Sequence, residues 1–154
     1  MALSRLIYRS TADLSALDEK SMNYLDLQAA TNNLRMGICG LLVLSGDRFL
    51  QVLEGDSKAV NKVYGKVIKD NRHYDVNLIS YEGIVNAEFM GWDMHLVNLE
   101  SLDTYAQKTF RENYPVNKDT LIFNDDANLM FGLLIKMRDT IDLMKWPPLS
   151  RIQV

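Results

Sequence analysis

A single primary amide interrupts the apolar segment at 48–55, which reads RFLQVLEG. Its neighbours favour extended structure, and the two-residue period of a strand puts Gln51 on the same face as Phe49 and Leu53. If that face is buried, Gln51 needs a partner, because an unbonded amide in a core costs roughly 1–3 kcal/mol. A nearby backbone group, or a face turned to solvent, explains the same pattern. The segment alone leaves these readings open.

Residues that carry metal or nucleophilic chemistry are scarce in this chain. It contains one cysteine, Cys39, and two histidines, His73 and His95. One thiol and two imidazoles make a weak case for a transition-metal site. A single cysteine cannot form an internal disulfide, which fits a reducing compartment. We therefore expect a cytoplasmic protein without a metal site.

The composition limits the classes of partner. The 154 residues are 47% hydrophobic and 24% charged, which is ordinary for one compact soluble domain. The net charge of −3 gives no electrostatic reason to expect nucleic acid. No apolar run approaches the roughly 20 residues that span a bilayer, and the N-terminus lacks a signal-peptide pattern. We expect neither nucleic acid nor a membrane as a direct partner.

Strand and helix patterns alternate along the first 98 residues. Strands are predicted at 3–8, 37–45, 48–55, 75–83 and 89–97, and a tight turn at 45–47 joins the second to the third. One helix is predicted at 18–33. A second has apolar side chains at Val60, Val63, Tyr64, Val67 and Ile68, and Asp56 or Ser57 can cap its start.

The predicted order β-α-β-β-α-β-β resembles the ferredoxin-like α+β fold, in which both helices cover one face of the sheet. Bulky or polar candidates for that helix-side face are Tyr8, Gln51, Trp92 and Met94. Strand alternation groups the side chains of each strand by face, but it does not determine which group points inward.

The pattern becomes helical after about residue 99, so we divide the chain into a domain at 1–98 and a helical extension at 99–154. Helices are predicted at 99–113, ending before Pro115, and at 125–145, ending at Pro147 and Pro148. The longer helix is apolar around more than half of its circumference. That excess predicts a homo-oligomer or partner interface. A two-helix cap over the sheet's free face would use the same surface, and both can hold together.

Five segments, taken in order, resemble the BLUF family of blue-light sensors, which bind flavin adenine dinucleotide (FAD). They are RLIY (5–8), NNLRMGICGLL (32–42), RFLQVLEG (48–55), KDNRHYDV (69–76) and FMGWDM (89–94). The resemblance covers about residues 3–97, and the trailing helices are similar to those of short, stand-alone members. The ordered set with compatible spacing is far more specific than any one segment.

The resemblance implies a photochemical role for Tyr8 and Gln51. In this family the flavin ring lies between the two sheet-covering helices, and the glutamine contacts both the ring and the tyrosine. Tyr8 would supply an electron and then a proton to the excited flavin. The Gln51 amide would rotate or tautomerise, adding a hydrogen bond to flavin O4 and shifting the absorption to the red. Trp92 and Met94 are expected near Gln51, on the strand that carries the signal outward, although an ordinary core pair gives the same pattern.

The resemblance also implies contacts that hold the cofactor. Asn33 is expected to bond the pyrimidine edge of the ring, and Asn32 to border it. Helix C-capping would explain both asparagines equally well.

Further along, Arg72 and His73 match a pair that lies beside the flavin. Lys66 and Asp70 are weaker candidates for contacts along the dinucleotide tail. A solvated charge at a helix end is a close alternative for Lys66.

Two positions depart from the family pattern. Cys39 stands where many relatives have threonine, and the flavin-adduct motif of LOV domains is absent, so no photoreactive thiol is expected. The segment NAEF (86–89) lacks a basic residue often found before the phenylalanine, which puts one contact at the cofactor's tail in doubt.

No cyclase, phosphodiesterase or kinase module fits in residues 98–154, so we expect a non-enzymatic protein. Its output would go to a downstream signalling protein or to its own assembly. Two alternatives remain: a cofactor-free ferredoxin-like binding module, and an acylphosphatase-like hydrolase. The hydrolase would use Arg9, but YRSTADL (8–14) lacks the glycine-rich turn that wraps a phosphate.

Overall fold

The structure is a computed structural model that describes residues 2–17 and 36–144, without the side chains of residues 93–95. Its strands are β1 (Leu3–Ala12), β2 (Cys39–Ser45), β3 (Arg48–Asp56), β4 (His73–Ile84), β5 (Asp93–Asn98), β6 (Val116–Asn117) and β7 (Thr120–Leu121). Its helices are α1 (Ser57–Val67), α2 (Thr104–Asn113) and α3 (Ala127–Met144). The helix predicted at 18–33, with Asn32 and Asn33, lies outside the described residues, as do Pro147 and Pro148.

Five strands form one sheet in the order β4-β1-β3-β2-β5. β3 pairs antiparallel with both β1 and β2, β4 pairs antiparallel with β1, and β5 runs parallel to β2 at the far edge. α1 packs on β1 and β3. The predicted α+β fold with a ferredoxin-like strand order is therefore confirmed.

The turn between β2 and β3 falls where the sequence predicted it. Gly46 has a φ of +58°, which a glycine adopts without steric cost. A Cβ there would also come within 2.8 Å of Thr120 Oγ1. The tight turn pairs Ser45 with Arg48 and fixes the β2–β3 register, in which Leu42 lies opposite Gln51.

The start of the last strand and the capping of α1 differ most clearly from prediction. The last strand begins at Asp93 rather than 89, because residues 89–92 turn: Trp92 N–H donates to Phe89 O over 2.9 Å, and Gly91 has a φ of +86°. α1 begins at Ser57 with Asp56 at the N-cap position, but the Asp56 side chain makes no capping bond. The expected cap is therefore wrong at Asp56.

Each face of the sheet carries its own core. We call the face that packs against α1 the α1 face; its buried residues include Leu6, Tyr8, Leu42, Phe49 and Leu53, with Val60 from α1. We call the opposite side the C-terminal face; its buried residues include Ile7, Leu41, Val43, Leu50 and Val52, which pack with α3. The alternation of strand side chains produces this division.

The C-terminal helices cap the second of these faces. A short 3-10 turn at Leu99–Ser101 precedes α2, which starts where Asp103 Oδ1 accepts a hydrogen bond from Ala106 N at 2.8 Å. α3 starts after Asp126, whose Oδ1 accepts from Leu129 N at 3.0 Å, and buries Met130, Leu133, Leu134, Met137 and Ile141. α2 begins at Thr104 rather than 99 and α3 at Ala127 rather than 125. The two-residue strands β6 and β7 between them were not predicted. Within the described residues, no helix is long and apolar enough to cross a membrane.

Candidate functional site

Tyr8 and Gln51 meet inside the protein on the α1 face. They are direct cross-strand partners in the β1–β3 register, so their side chains project from the same face of the sheet. The Tyr8 hydroxyl donates a hydrogen bond to Gln51 Oε1. Tyr8 is 3% exposed and Gln51 6% exposed. The amide that interrupts the apolar strand is thus buried and bonded to a phenol.

The surroundings keep the Tyr8 phenol protonated. Burial raises its pKa far above the ordinary value for tyrosine, and the nearby Tyr64 and Asp70 raise it further. The Tyr64 ring lies 5.6 Å from the Tyr8 ring, centroid to centroid, at a tilt of 47°. Burial also raises the pKa of Tyr64. Tyr8 therefore remains a neutral hydrogen-bond donor at physiological pH.

His73 lies beside Tyr8, with its ring centroid 6.1 Å from that of Tyr8. Its Nε2 is 2.6 Å from Val67 O and its Nδ1 is 2.8 Å from Ser10 Oγ. Because a carbonyl oxygen only accepts, Nε2 carries a proton and donates it to Val67. His73 thus ties the start of β4 to the end of α1, and both of its nitrogens bond within the protein.

Asp70 and Arg72 form an ion pair in the turn between α1 and β4. Arg72 Nε lies 2.9 Å from Asp70 Oδ1, and Arg72 N donates to the same oxygen at 3.0 Å. The hydrogen bond from the Arg72 side chain lowers the pKa of Asp70. Lys66, in the last turn of α1, has an exposed side chain. The structure therefore brings Tyr8, Gln51 and His73 together, with the Asp70–Arg72 pair immediately before His73.

Trp92 does not join this group. Its side chain is 6% exposed and packs in the core of the C-terminal face, with Phe89 and Val97. The prediction that Trp92 shares the helix-side face with Gln51 is wrong. Trp92 is the last residue of the turn at 89–92 and precedes β5, so strand alternation does not apply to it. Met94 lies in β5, and its side chain is outside the described part of the structure.

Sequence reasoning missed Leu96 as a neighbour of the site. Leu96 pairs with Leu42, which in turn pairs with Gln51, and it packs with the α1-face core. The position of Leu96 near Gln51 follows only from the pairing of β2 with β5. That pairing has a register shift between Gly40 and Leu41, so counting residues from the start of β5 does not give the correct partner of Leu42.

Two further predicted residues have structural partners. Cys39 is half-buried, and its Sγ lies 3.7 Å from Glu54 O. Arg9, the residue on which a hydrolase would depend, donates from Nε to Asp125 at 2.9 Å. Among the described residues, no cluster of His, Cys, Asp and Glu could hold a metal ion.

Comparison with known proteins points to one family. Residues 3–95 match the family model for BLUF, "Sensors of blue-light using FAD". The blue light- and temperature-regulated antirepressor BluF of Escherichia coli (strain K12) is 27% identical over 135 residues, covering 86% of this chain and 33% of that protein. The chain thus spans about a third of the length of this curated relative.

Solved structures show the same fold. BlsA in its photo-activated state matches with a TM-score of 0.71 and 26% identity, over 86% of this chain and 94% of that chain. Klebsiella pneumoniae BlrP1 with FMN and cyclic diGMP matches with a TM-score of 0.61 and 31% identity, over 67% of this chain and 27% of that chain. Since the family model covers more than half of the sequence, this chain belongs to the BLUF family of blue-light flavin sensors.

Proposed function

We propose that this chain is a photoreceptor that binds FAD non-covalently and signals through a light-driven rearrangement of hydrogen bonds among Tyr8, Gln51 and the flavin. The observation that carries the proposal is the buried bond from the Tyr8 hydroxyl to Gln51 Oε1. Membership of the family supports the coarser statement, a flavin-based sensor of blue light.

The residues on the α1 face have the chemistry that a flavin ring requires. The edge of such a ring presents several acceptors and one N–H donor. A primary amide has two N–H donors and an accepting oxygen, so Gln51 can bond to Tyr8 and to the ring at once. Val63, Tyr64 and Val67 of α1 are half-buried against this face and offer an apolar wall. Gln51 and Tyr8 would thus hold the reactive edge of the ring.

The proposed mechanism follows from what these side chains can do. When bound, the flavin supplies a chromophore that becomes a strong oxidant on absorbing blue light. Tyr8 would give an electron to the excited ring and its hydroxyl proton along the existing bond to Gln51, and both would return to Tyr8 after the amide has rearranged, so that no net oxidation remains. The rearrangement would be a rotation or tautomerisation of the Gln51 amide, which changes the hydrogen bonds that it makes to Tyr8 and to the ring. An added hydrogen bond at flavin O4 would account for a shift of the absorption to the red.

The remaining cofactor contacts are also proposals. We assign the pyrimidine edge to Asn33 and its border to Asn32, and we place Met94 near the ring. Lys66 is free to approach a phosphate because its side chain is exposed. His73 already bonds at both nitrogens, so we expect it to pack against the site rather than to bond the cofactor.

Near the tail of the cofactor, Arg72 would offer a guanidinium whose charge is balanced by Asp70. Such a paired cation can still donate hydrogen bonds to a phosphate, because a guanidinium carries five N–H groups. Asp70 would then orient Arg72 rather than contact the cofactor itself.

We propose that the output goes to a partner protein or to the chain's own oligomer rather than to an active site in this chain, and that the protein works in the cytoplasm. The names of its relatives include an antirepressor and a light-regulated adenylyl cyclase, so sensors of this family serve different effectors. Among the described residues, the helices α2 and α3 would offer a surface for such an output.

The proposal is tested by titrating the purified chain with FAD and with FMN and then illuminating each complex with blue light. We expect FAD to bind, and Gln51→Leu to retain it while losing the light-induced red shift. Tyr8→Phe should lose the shift as well, whereas Tyr74→Phe, which alters an exposed phenol on β4, should keep it. A normal shift in Gln51→Leu would refute the assigned relay, and failure to bind any flavin would favour a cofactor-free module.

A further inference from the structure

A buried ion pair joins two strands on the C-terminal face, the side opposite Gln51. Arg5 of β1 lies directly across from Glu54 of β3. Arg5 Nε and Nη2 each lie 2.7 Å from Glu54 Oε2. The Glu54 side chain is fully buried and that of Arg5 is 9% exposed. Burying two charges there is unfavourable unless their polar atoms are bonded, because both leave water.

The second oxygen of Glu54 holds a different part of the chain. Glu54 Oε1 accepts from Glu88 N at 2.9 Å and from Phe89 N at 2.7 Å. These amides belong to residues 88–92, which we call the pre-β5 segment. One carboxylate thus bonds to β1 through one oxygen and to the pre-β5 segment through the other. At its far end the segment is fixed to β2, where Gly40 N donates to Trp92 O at 2.9 Å.

Helix α3 contacts the same assembly at two places. The Arg5 guanidinium carbon lies 4.2 Å from the centroid of the Phe131 ring. Arg138, one residue after Met137 in the helix core, donates to Glu88 O and has its guanidinium carbon 5.7 Å from the Phe89 ring centroid. Both guanidinium groups thus lie against an aromatic ring, as in a cation–π contact. α3 therefore contacts Arg5 through Phe131 and the pre-β5 segment through Arg138.

We infer that Glu54 is a positioning residue that, with Arg5, locks strand β3, the pre-β5 segment and helix α3 into one mechanical unit. Gln51 lies three residues before Glu54 on β3, and the two side chains project from opposite faces of the sheet. A change that displaces β3 at Gln51 would reach α3 through the carboxylate, because both of its oxygens are bonded. This route deepens the proposed function and, for its light-dependent part, depends on it.

The dark-state test is hydrogen exchange of backbone amides in Glu54→Gln, with Glu82→Gln as the control. Glutamine has nearly the same size as glutamate, but one of its two oxygens is replaced by an NH2 group. Arg5 and the amides of residues 88 and 89 are all donors, so the NH2 group would face a donor on one side or the other and one set of hydrogen bonds would be lost. The amides of residues 88 and 89, and those of α3, should exchange at least about tenfold faster. Glu82 also pairs with Arg5, at 3.4 Å, but its side chain is 58% exposed, so its change should leave these rates within about twofold.

Tryptophan fluorescence supplies a second dark-state measurement. The sequence contains two tryptophans, so Trp92 becomes the sole tryptophan in a Trp146→Phe background. Because the pre-β5 segment holds Trp92 in the core, Glu54→Gln should shift its emission to longer wavelength. Arg5→Lys keeps the charge but loses the planar fork of two N–H donors. It should produce a smaller shift in the same direction, and it replaces Glu54→Gln should that variant fail to fold.

The light-dependent test uses the FAD-loaded protein. The wild type should show a light-induced change in the exchange of α3, and Glu54→Gln should keep the red shift while losing that change. Wild-type exchange rates at 88, 89 and α3 in Glu54→Gln would overturn the inference, as would a uniform loss of protection that includes α1 and β4. A wild type without any red shift would refute the proposed function and this light-dependent route, whereas the dark-state rates would still decide whether Glu54 couples the three elements.

Discussion

The buried bond between Tyr8 and Gln51 has a predicted energetic value. Tyr8→Phe removes the hydroxyl and leaves the ring in place, so packing against Tyr64 is kept. A net hydrogen bond contributes about 1 kcal/mol, and a buried acceptor that loses its donor raises the loss to about 1–3 kcal/mol. For a chain of 154 residues, about 1 kcal/mol corresponds to roughly 2–4 °C in the melting temperature. We therefore expect Tyr8→Phe to melt about 2–12 °C lower.

The assay is a double-mutant cycle of Tyr8→Phe and Gln51→Leu, measured by urea unfolding at one fixed flavin concentration. The flavin must be held constant because a ligand that binds the native state raises the apparent stability. We expect a coupling free energy of about 1 kcal/mol between the two changes. Additive losses, within about 0.3 kcal/mol, would refute the bond. Tyr74→Phe serves as the control, since that side chain is 54% exposed and should change stability by less than about 0.5 kcal/mol.

Three further outcomes are expected. Burial raises the pKa of Tyr8 in the folded state above the 10.0 of a free tyrosine, so the stabilisation that Tyr8 contributes is complete below pH 10 and is lost as the pH rises above 10. The urea midpoint should therefore fall more steeply above pH 10 in the wild type than in Tyr8→Phe. Equal slopes in the two proteins would contradict this. The apolar excess on α3, near whose end Leu143 and Met144 are 76% and 46% exposed, predicts a multimer by light scattering at micromolar concentration, and Leu143→Glu should weaken it; a monomeric wild type would count against the interface. Phe131→Leu should lower stability by about 1 kcal/mol through loss of the ring beneath Arg5, and an equal loss in an Arg5→Met background would show that the two residues are not coupled.

Much of the fold was predictable because its central strands are apolar segments of residues that favour extended structure and its helices carry apolar stripes. The order of elements, the turn at Gly46 and the pairing of Tyr8 with Gln51 on one face all follow from local pattern together with the family resemblance. The helix at 18–33, with Asn32 and Asn33, stays a prediction, since it lies outside the described residues.

The parts that failed depend on long-range geometry. Trp92 was assigned to a face by counting along a strand, but the turn at 89–92 ends that alternation before β5 begins. The β6–β7 hairpin has only two residues a strand, too few to show a period. Glu54 carries a signal that sequence reasoning missed. It is an acid in the same apolar segment as Gln51, and a buried carboxylate needs a partner just as a buried amide does. Its partner Arg5 is fixed only by the β1–β3 register.

The most direct test of the central claim is the absorption spectrum of the purified, FAD-loaded chain before and after blue illumination. We expect a flavin spectrum whose blue band moves to longer wavelength in the light and returns in the dark, without loss of the oxidised flavin. A chain that stays colourless when offered FAD, or one whose flavin spectrum is identical before and after illumination, would contradict the assignment of Tyr8 and Gln51 as the light-driven pair.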